Sequence, residues 1–511
     1  MSWLKSRGLA GLMLAATLAG APLAAPAFAQ DVAPAATAVA VAEAAPALAA
    51  PAEMAVPAPA PAAVAAPIPD KGDTTWMLVS TVLVLLMIVP GLALFYGGLV
   101  RQKNMLSMLM QVGVVTVIGM IAWLFWGYSL SFSDGGGLDK FIGGAGRLFL
   151  KDVTPASTVA TFSTGVVIPE LVFMAFQMTF ACITAALVLG GVAERMKFAA
   201  VVIFAILWPL LSYYPLAHMV WWWAGPDAVA AAPKDPIQAG LIWGFGALDF
   251  AGGTVVHINA GIAALMGALI LGPRKGYGTE PMPPHSLTLT MTGAGLLWVG
   301  WFGFNAGSNL EANGYAALAM VNTLVATAAA GISWVATEWV TRKRASALGL
   351  ASGLVAGLVA ITPAAGFAGP VGAVILGLVV SPVCVFFCSK IKNALKYDDS
   401  LDAFGIHAIG GILGAIATGL LVNPAWGGAG VVDYTTCGLD GDISTCDTAA
   451  YVLSTQVMAQ VKAVLVSVGW SAAASSIVFF VIKYTVGLRS SLESEEEGLD
   501  ISEFGERAYH S

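Results

Sequence analysis

The stretch LDFAGGTVVH, Leu248 to His257, places an acidic residue ahead of a histidine in a run otherwise made of small and apolar side chains, and LDAFGIH, Leu401 to His407, repeats the device further along the chain. Each leads into a Gly- and Ala-rich stretch of the kind that crosses a bilayer as a helix, which takes about 20 residues. Counted among the apolar blocks of the chain, the first stretch belongs to the fifth and the second to the tenth. Successive spans alternate in direction, so these two run oppositely. That is the pattern of two inverted five-helix repeats plus a final helix, and such repeats put a transport site at their interface, near the midplane.

Eleven spans are predicted, near 76–98, 106–131, 163–190, 198–220, 246–271, 287–304, 315–340, 347–363, 370–391, 404–422 and 452–486. The fold class is an all-α polytopic membrane protein. Composition agrees: of 511 residues 58% are hydrophobic and 10% charged, against roughly 25% charged in soluble domains. Abundant Gly suits close helix packing in a membrane. The net charge of −7 comes with no basic run or aromatic–basic interleaving, so nucleic acid is not an expected partner. Orientation follows from Lys and Arg in the loops. One alternate set holds Arg101, Lys103, Arg195, Lys197, Arg274, Lys275, Arg342, Lys343, Arg344, Lys390, Lys392 and Lys396; the other holds Lys140, Arg147, Lys151 and Lys234. Twelve against four puts the first set in the cytoplasm, the mature N-terminus outside and the C-terminus inside.

Residues 1–29 read as a signal peptide, with Lys5 and Arg7, an apolar stretch, and Ala27-Phe28-Ala29 before a cleavage point. The alternative is an uncleaved extra helix. Residues 30–72 are an Ala/Pro-rich stretch in which repeated Pro prevents a continuous helix, expected as a periplasmic linker. Residues 73–488 form the transmembrane domain and 489–511 a cytoplasmic tail rich in Glu. Cys182, Cys384 and Cys388 fall in apolar spans as small packing residues. Cys437 and Cys446 lie in a polar loop on the outer side, where a disulfide is expected.

Ionisable residues at membrane depth are functional by default. Of five His, His257 and His407 are the two at depth; His218 ends the fourth span, His285 sits in a loop and His510 in the tail, and these three read as packing or solvated residues. A neutral imidazole has one N–H donor and one bare nitrogen. Two facing rings can share a hydrogen bond, leave a polar rail in an apolar pore, bind a small polar molecule or relay a proton. A metal site is discounted because no third or fourth ligand stands at matching depth. No cofactor pattern, nucleotide loop or nucleophile motif points to an enzyme.

DFAGGTVVHINAG (Asp249–Gly261), PGLALFYGGLVRQKN (Pro90–Asn104), FACIT (Phe180–Thr184), AERMKF (Ala193–Phe198), AHMVW (Ala217–Trp221), GWFGFNAGS (Gly300–Ser308), VNTLVATAAA (Val321–Ala330), ITPAAG (Ile361–Gly366), DAFGIH (Asp402–His407) and EGLD (Glu497–Asp500) together resemble the Amt/Mep/Rh ammonium transporter family, bacterial Amt type. The resemblance runs from about Trp76 to the C-terminus and implies a homotrimer in the bacterial inner membrane, each protomer with its own pore. It implies an external ammonium-binding site of Phe180, Trp221 and Ser308, a gate of Phe180 over Phe304, and a pore and proton relay at His257 and His407. Asp249, and Asp402 in the second repeat, would support the site structurally. The family pattern has small residues after the site Trp, whereas Trp222 and Trp223 stand there in this chain.

The implied activity is ammonium transport into the cytoplasm. Aromatic faces attract a cation, by roughly 2 kcal/mol or more when desolvated, whereas carrying the bare ion through an apolar pore costs on the order of tens of kcal/mol. The resemblance implies that ammonium escapes that cost by leaving its proton near the gate. The EGLD match implies an ordered tail that helps a PII-type signalling protein plug the inner mouth. Two alternatives stand beside this reading: an electroneutral ammonia gas channel, which the same residues would serve, and an ammonium sensor or receptor. Sensors of the family usually carry an added signalling domain, and no such sequence follows Tyr509.

Overall fold

A computed structural model of the protein describes residues 67–437 and 446–509. The signal-peptide stretch 1–29, and the linker up to residue 66, lie outside the described residues. Among the described residues, eleven helices are long and apolar enough to cross a membrane: Lys71–Leu99, Gln102–Phe132, Glu170–Val192, Phe198–Trp221, Gly253–Leu271, Leu287–Gly307, Gly314–Arg342, Ala347–Ala364, Pro370–Leu395, Phe404–Leu421 and Leu453–Thr485. In chain order these are the first to eleventh spans. The last is one unbroken helix of 33 residues, roughly 50 Å at 1.5 Å per residue, and so longer than the hydrocarbon core.

Two spans begin later than the apolar pattern predicts, each for a local reason. Residues ahead of the third span form a short antiparallel hairpin, Thr158–Ala160 against Val167–Pro169, and Pro169 then starts the helix. The fifth span begins at Gly253 rather than near 246, because Gly252 takes a positive φ of 112° and the Asp249 side chain caps the first helical turn.

The third, fifth and eighth spans form the centre: 78% of each apolar window is buried, against 39% in the ninth and eleventh. The fifth span packs on the third, the tenth and the eleventh, and the tenth packs on the eighth and eleventh. The fifth and tenth cross closely. A Cβ on Gly261 would stand 2.3 Å from the backbone N of Ala408, and one on Gly411 would stand 3.0 Å from the carbonyl of Gly253. They are antiparallel: Arg274, just past the end of the fifth, binds Asp398, just before the start of the tenth.

Near Asp398, four interspan segments meet in a buried ionic cluster. Arg274 donates to both oxygens of Asp398, at 2.8 and 2.9 Å, and at 2.9 Å to Glu194, which also accepts from Arg101. Burial pushes the carboxyls of Glu194 and Asp398 up, but the arginines outweigh it and hold both below the usual carboxylate range. Arg195 is wholly buried, and burial brings its pKa down to about 10 against the opposing pull of Asp398. The tail folds back on this end. Asp500 accepts from the N–H groups of Leu106 and Ser107 at the start of the second span, and the Lys103 ammonium donates to the Glu495 and Glu496 carbonyls.

Candidate functional site

Aromatic rings from three spans line up above the histidines. Phe180 on the third span stacks on Phe304 of the sixth, ring centres 4.1 Å apart and planes 14° apart. The edge of Trp221, at the end of the fourth span, meets Phe180 at 5.9 Å and 84°. Both phenylalanines are buried, while Trp221 and Ser308 are half-buried. The Ser308 hydroxyl donates to the Phe304 carbonyl at 2.8 Å, which leaves its lone pairs free to accept. The arrangement is a half-buried aromatic ledge with an acceptor, closed below by a buried pair of rings.

Asp249 does not face this ledge with its charge. Its two oxygens accept from the N–H groups of Gly252, Gly253 and Thr254 at 2.6–2.8 Å, and from the Thr254 hydroxyl. A carboxylate at a helix start satisfies donors the helix cannot. Its carbonyl takes the Trp221 indole N–H at 3.0 Å and so fixes the ring. Gln460 of the eleventh span brackets Leu248 from the other side, accepting from its N–H and donating to its carbonyl.

Below Phe304 lies a cavity with room for about one molecule of water size, lined by His257, His407 and apolar side chains including Leu187, Leu297, Trp301 and Val355. The two Nδ1 atoms are 3.3 Å apart. At that distance one nitrogen carries the proton and the other accepts it, so the facing pair shares a single hydrogen. His257 stacks on Trp301, centres 5.4 Å apart, and its Nε2 has no protein partner among the described residues. The Trp301 indole is anchored on the Thr362 hydroxyl at 2.9 Å.

The tenth span repeats the capping, but not with the residue that the Leu-Asp dipeptide singles out. Asp399, not Asp402, accepts from the N–H groups of Ala403 and Phe404, at 3.0 and 2.8 Å, and more weakly from Gly405. It stands eight residues ahead of His407, as Asp249 stands eight ahead of His257. Burial raises the Asp399 carboxyl to about 6. Asp402 instead adopts a positive φ of 59° and pairs with Lys392 at 2.7 Å. Anchoring the two stretches on their histidines, rather than on the dipeptide, finds Asp399 in the sequence.

The three consecutive tryptophans part company. Trp222 lies flat on His218, centres 4.7 Å apart, and Trp223 stacks on Trp243 and meets Tyr434. Neither bulky ring therefore competes with Trp221. Tyr434 belongs to the loop in which Cys437 and Cys446 are joined by a disulfide, Cα atoms 4.5 Å apart. No group of three or more His, Cys, Asp or Glu able to hold a metal occurs among the described residues.

Comparison with known proteins puts names beside this geometry. Residues 75–509 match the family model described as Ammonium Transporter Family. The chain is 43% identical over 441 residues to an ammonium transporter of Aquifex aeolicus, covering 86% of this chain and 94% of that one. It is 40% identical over 440 residues to one of Bacillus subtilis, covering 86% and 98%. Among solved structures it resembles Mep2 of Saccharomyces cerevisiae, with a TM-score of 0.70 and 31% identity over 83% of this chain and 91% of that one. It also resembles a Sensor Amt Protein, with a TM-score of 0.72 and 27% identity over 85% and 98%.

Proposed function

The chain belongs to the ammonium transporter family, and from that premise we propose that it takes ammonium into the cytoplasm by capture at Trp221 and Ser308, loss of a proton at the phenylalanine gate and passage of neutral ammonia along His257 and His407. The family is one of transporters, not enzymes. The observation that carries the route is the apolar cavity beneath Phe304, whose polar side chains are the two facing histidines. A cation entering it would lose its hydration with no fixed negative charge to replace it. A neutral ammonia molecule fits the space and can hydrogen-bond to an imidazole nitrogen. The proton left behind has the shared Nδ1 contact as its relay.

The same reading makes the protein a homotrimer of the bacterial inner membrane, with the mature N-terminus periplasmic and the tail cytoplasmic. For the tail, the support is its fold onto Lys103 and the second span at the end rich in Lys and Arg, where a PII-type protein would meet it. Asp249 and Asp399 would support the pore by fixing the starts of the two histidine-bearing helices.

The test is the current in proteoliposomes of purified protein after a step in ammonium and then in potassium. A current with ammonium alone is expected. Lumenal alkalinisation without current would replace this reading with neutral gas conduction. Binding with neither current nor alkalinisation would favour a sensor, the role carried in the name of one structural relative.

A further inference from the structure

We propose that His218 is a positioning residue for ammonium capture, acting as a doubly donating, positively charged ring that holds Trp221 in place. The inference rests on the capture role given above to Trp221. His218 lies three residues before Trp221 on the fourth span and is wholly buried. Its Nδ1 is 3.0 Å from the carbonyl of Ser131, and its Nε2 is 2.8 Å from the carbonyl of Asp139. Carbonyl oxygens only accept, and a neutral imidazole has one N–H. A neutral ring would press a lone pair against one of the two carbonyls; the imidazolium donates to both, through bonds roughly twice as strong as neutral ones. The ring face lies on Trp222, planes 14° apart, which suits a cation on an aromatic face.

Burial of the ring works against its charge, and what opposes that cost is the pair of carbonyls together with the carboxylates of Asp139 and Asp134 on the segment after the second span; Lys140 of that segment is exposed. On the other side the segment 240–247 carries no ionisable side chain, and the Asp249 carboxylate is taken up by its helix cap.

The ring ties three things together. Ser131 closes the second span, Asp139 belongs to the loop after it, and Trp222 is the direct neighbour of the site residue. From there the lacing reaches the site: Leu241 donates to Lys140, Gly240 to Trp222 and Ile242 to Met219, and this segment leads into Asp249, which holds the Trp221 indole. Deprotonation frees one carbonyl and loosens the ring stacked on Trp222.

The test measures methylammonium-evoked currents in proteoliposomes at varied external and fixed internal pH. Methylammonium stays protonated between about pH 5 and 8, so its own speciation does not interfere. The wild-type KM should rise about three- to tenfold as external pH climbs through the range of a histidine, around 6.5 when unperturbed, with little change in maximal current. His218→Gln donates from one end only and should show a raised KM that no longer follows pH. Trp222→Leu, which removes the aromatic face, should keep the profile and move its midpoint to lower pH. A wild-type KM flat with pH, a His218→Gln profile like wild type, or an unmoved midpoint in Trp222→Leu would each overturn the proposal. An absence of current with either methylammonium or ammonium would sink the transport reading, and this inference with it.

Discussion

Nδ1 of His257 and Nδ1 of His407 face each other at 3.3 Å across the crossing of two antiparallel helices. Each ring's Nδ1 has the other's as its partner. His257→Ala leaves the His407 Nδ1 buried and unpaired, a cost of about 1–3 kcal/mol. Along the proposed route the passing molecule also loses one of its two polar partners, and a loss of that size there lowers ammonium current by up to about 100-fold. Ammonium-selective current at the wild-type level in His257→Ala would remove the pair from the route.

Phe180 and Phe304 are a buried stacked pair above the cavity, proposed above as its gate. Hydrophobic constrictions exclude ions that cannot shed water. Phe180→Ala should open it, and the ratio of ammonium to potassium current should drop about tenfold or more. The variant should elute from gel filtration where the wild type does; an altered elution would mean that the ring holds the assembly rather than the gate.

Asp249 and Asp399 cap the two histidine-bearing helices in the same manner. Each aspartate to asparagine change replaces one acceptor oxygen by a donor that meets backbone N–H groups. Asp249→Asn and Asp399→Asn should each cost about 1–3 kcal/mol of stability, read as a lower melting temperature in detergent. Asp402→Asn, which breaks an ion pair with Lys392 whose carboxylate side is partly exposed, should cost less. An Asp402 effect larger than that of Asp399 would refute the assignment of the cap.

Glu194 and Asp398 are held below the ordinary carboxylate range by arginines, above all Arg274. A carboxyl whose folded pKa is depressed adds stability above its unfolded value, about 4, and that stability is lost as pH falls through the folded value. Acid unfolding should therefore begin below about pH 4 in this cluster. Arg274→Gln should lower stability at neutral pH and move the acid transition upward, measured by melting temperature against pH. An unchanged acid limb would show that the cluster adds nothing.

Much of this architecture is legible in the sequence, because a bilayer leaves the chain few options: apolar blocks of spanning length must be helices, and Lys and Arg collect on one side. The helix starts are less legible. Apolar residues run on from Gly246 to Gly253, and nothing in hydropathy reveals that Asp249 turns back to cap the helix, so the apolar pattern starts the fifth span too early. Asp399 escapes for a related reason. Its neighbour sequence differs from that of Asp249, and the likeness lies only in the distance to the histidine. The stacked phenylalanines, drawn from the third and sixth spans, come from family resemblance, since spacing along one chain does not show which rings meet across helices. The separation of Trp222 and Trp223 from the ledge depends on partners in distant loops, His218 aside, and no local pattern announces it.

The close crossing at Gly261 and Gly411 bears on how such a protein can fail. The histidine spacing is inherited from residues with no chemistry of their own: a methyl group at Gly261 would collide with the backbone of Ala408 and drive the two helices apart. A lineage can therefore keep both imidazoles intact and still lose the bond between them through a single change at a neighbouring glycine. The contact between the histidines therefore depends on glycines that never touch it.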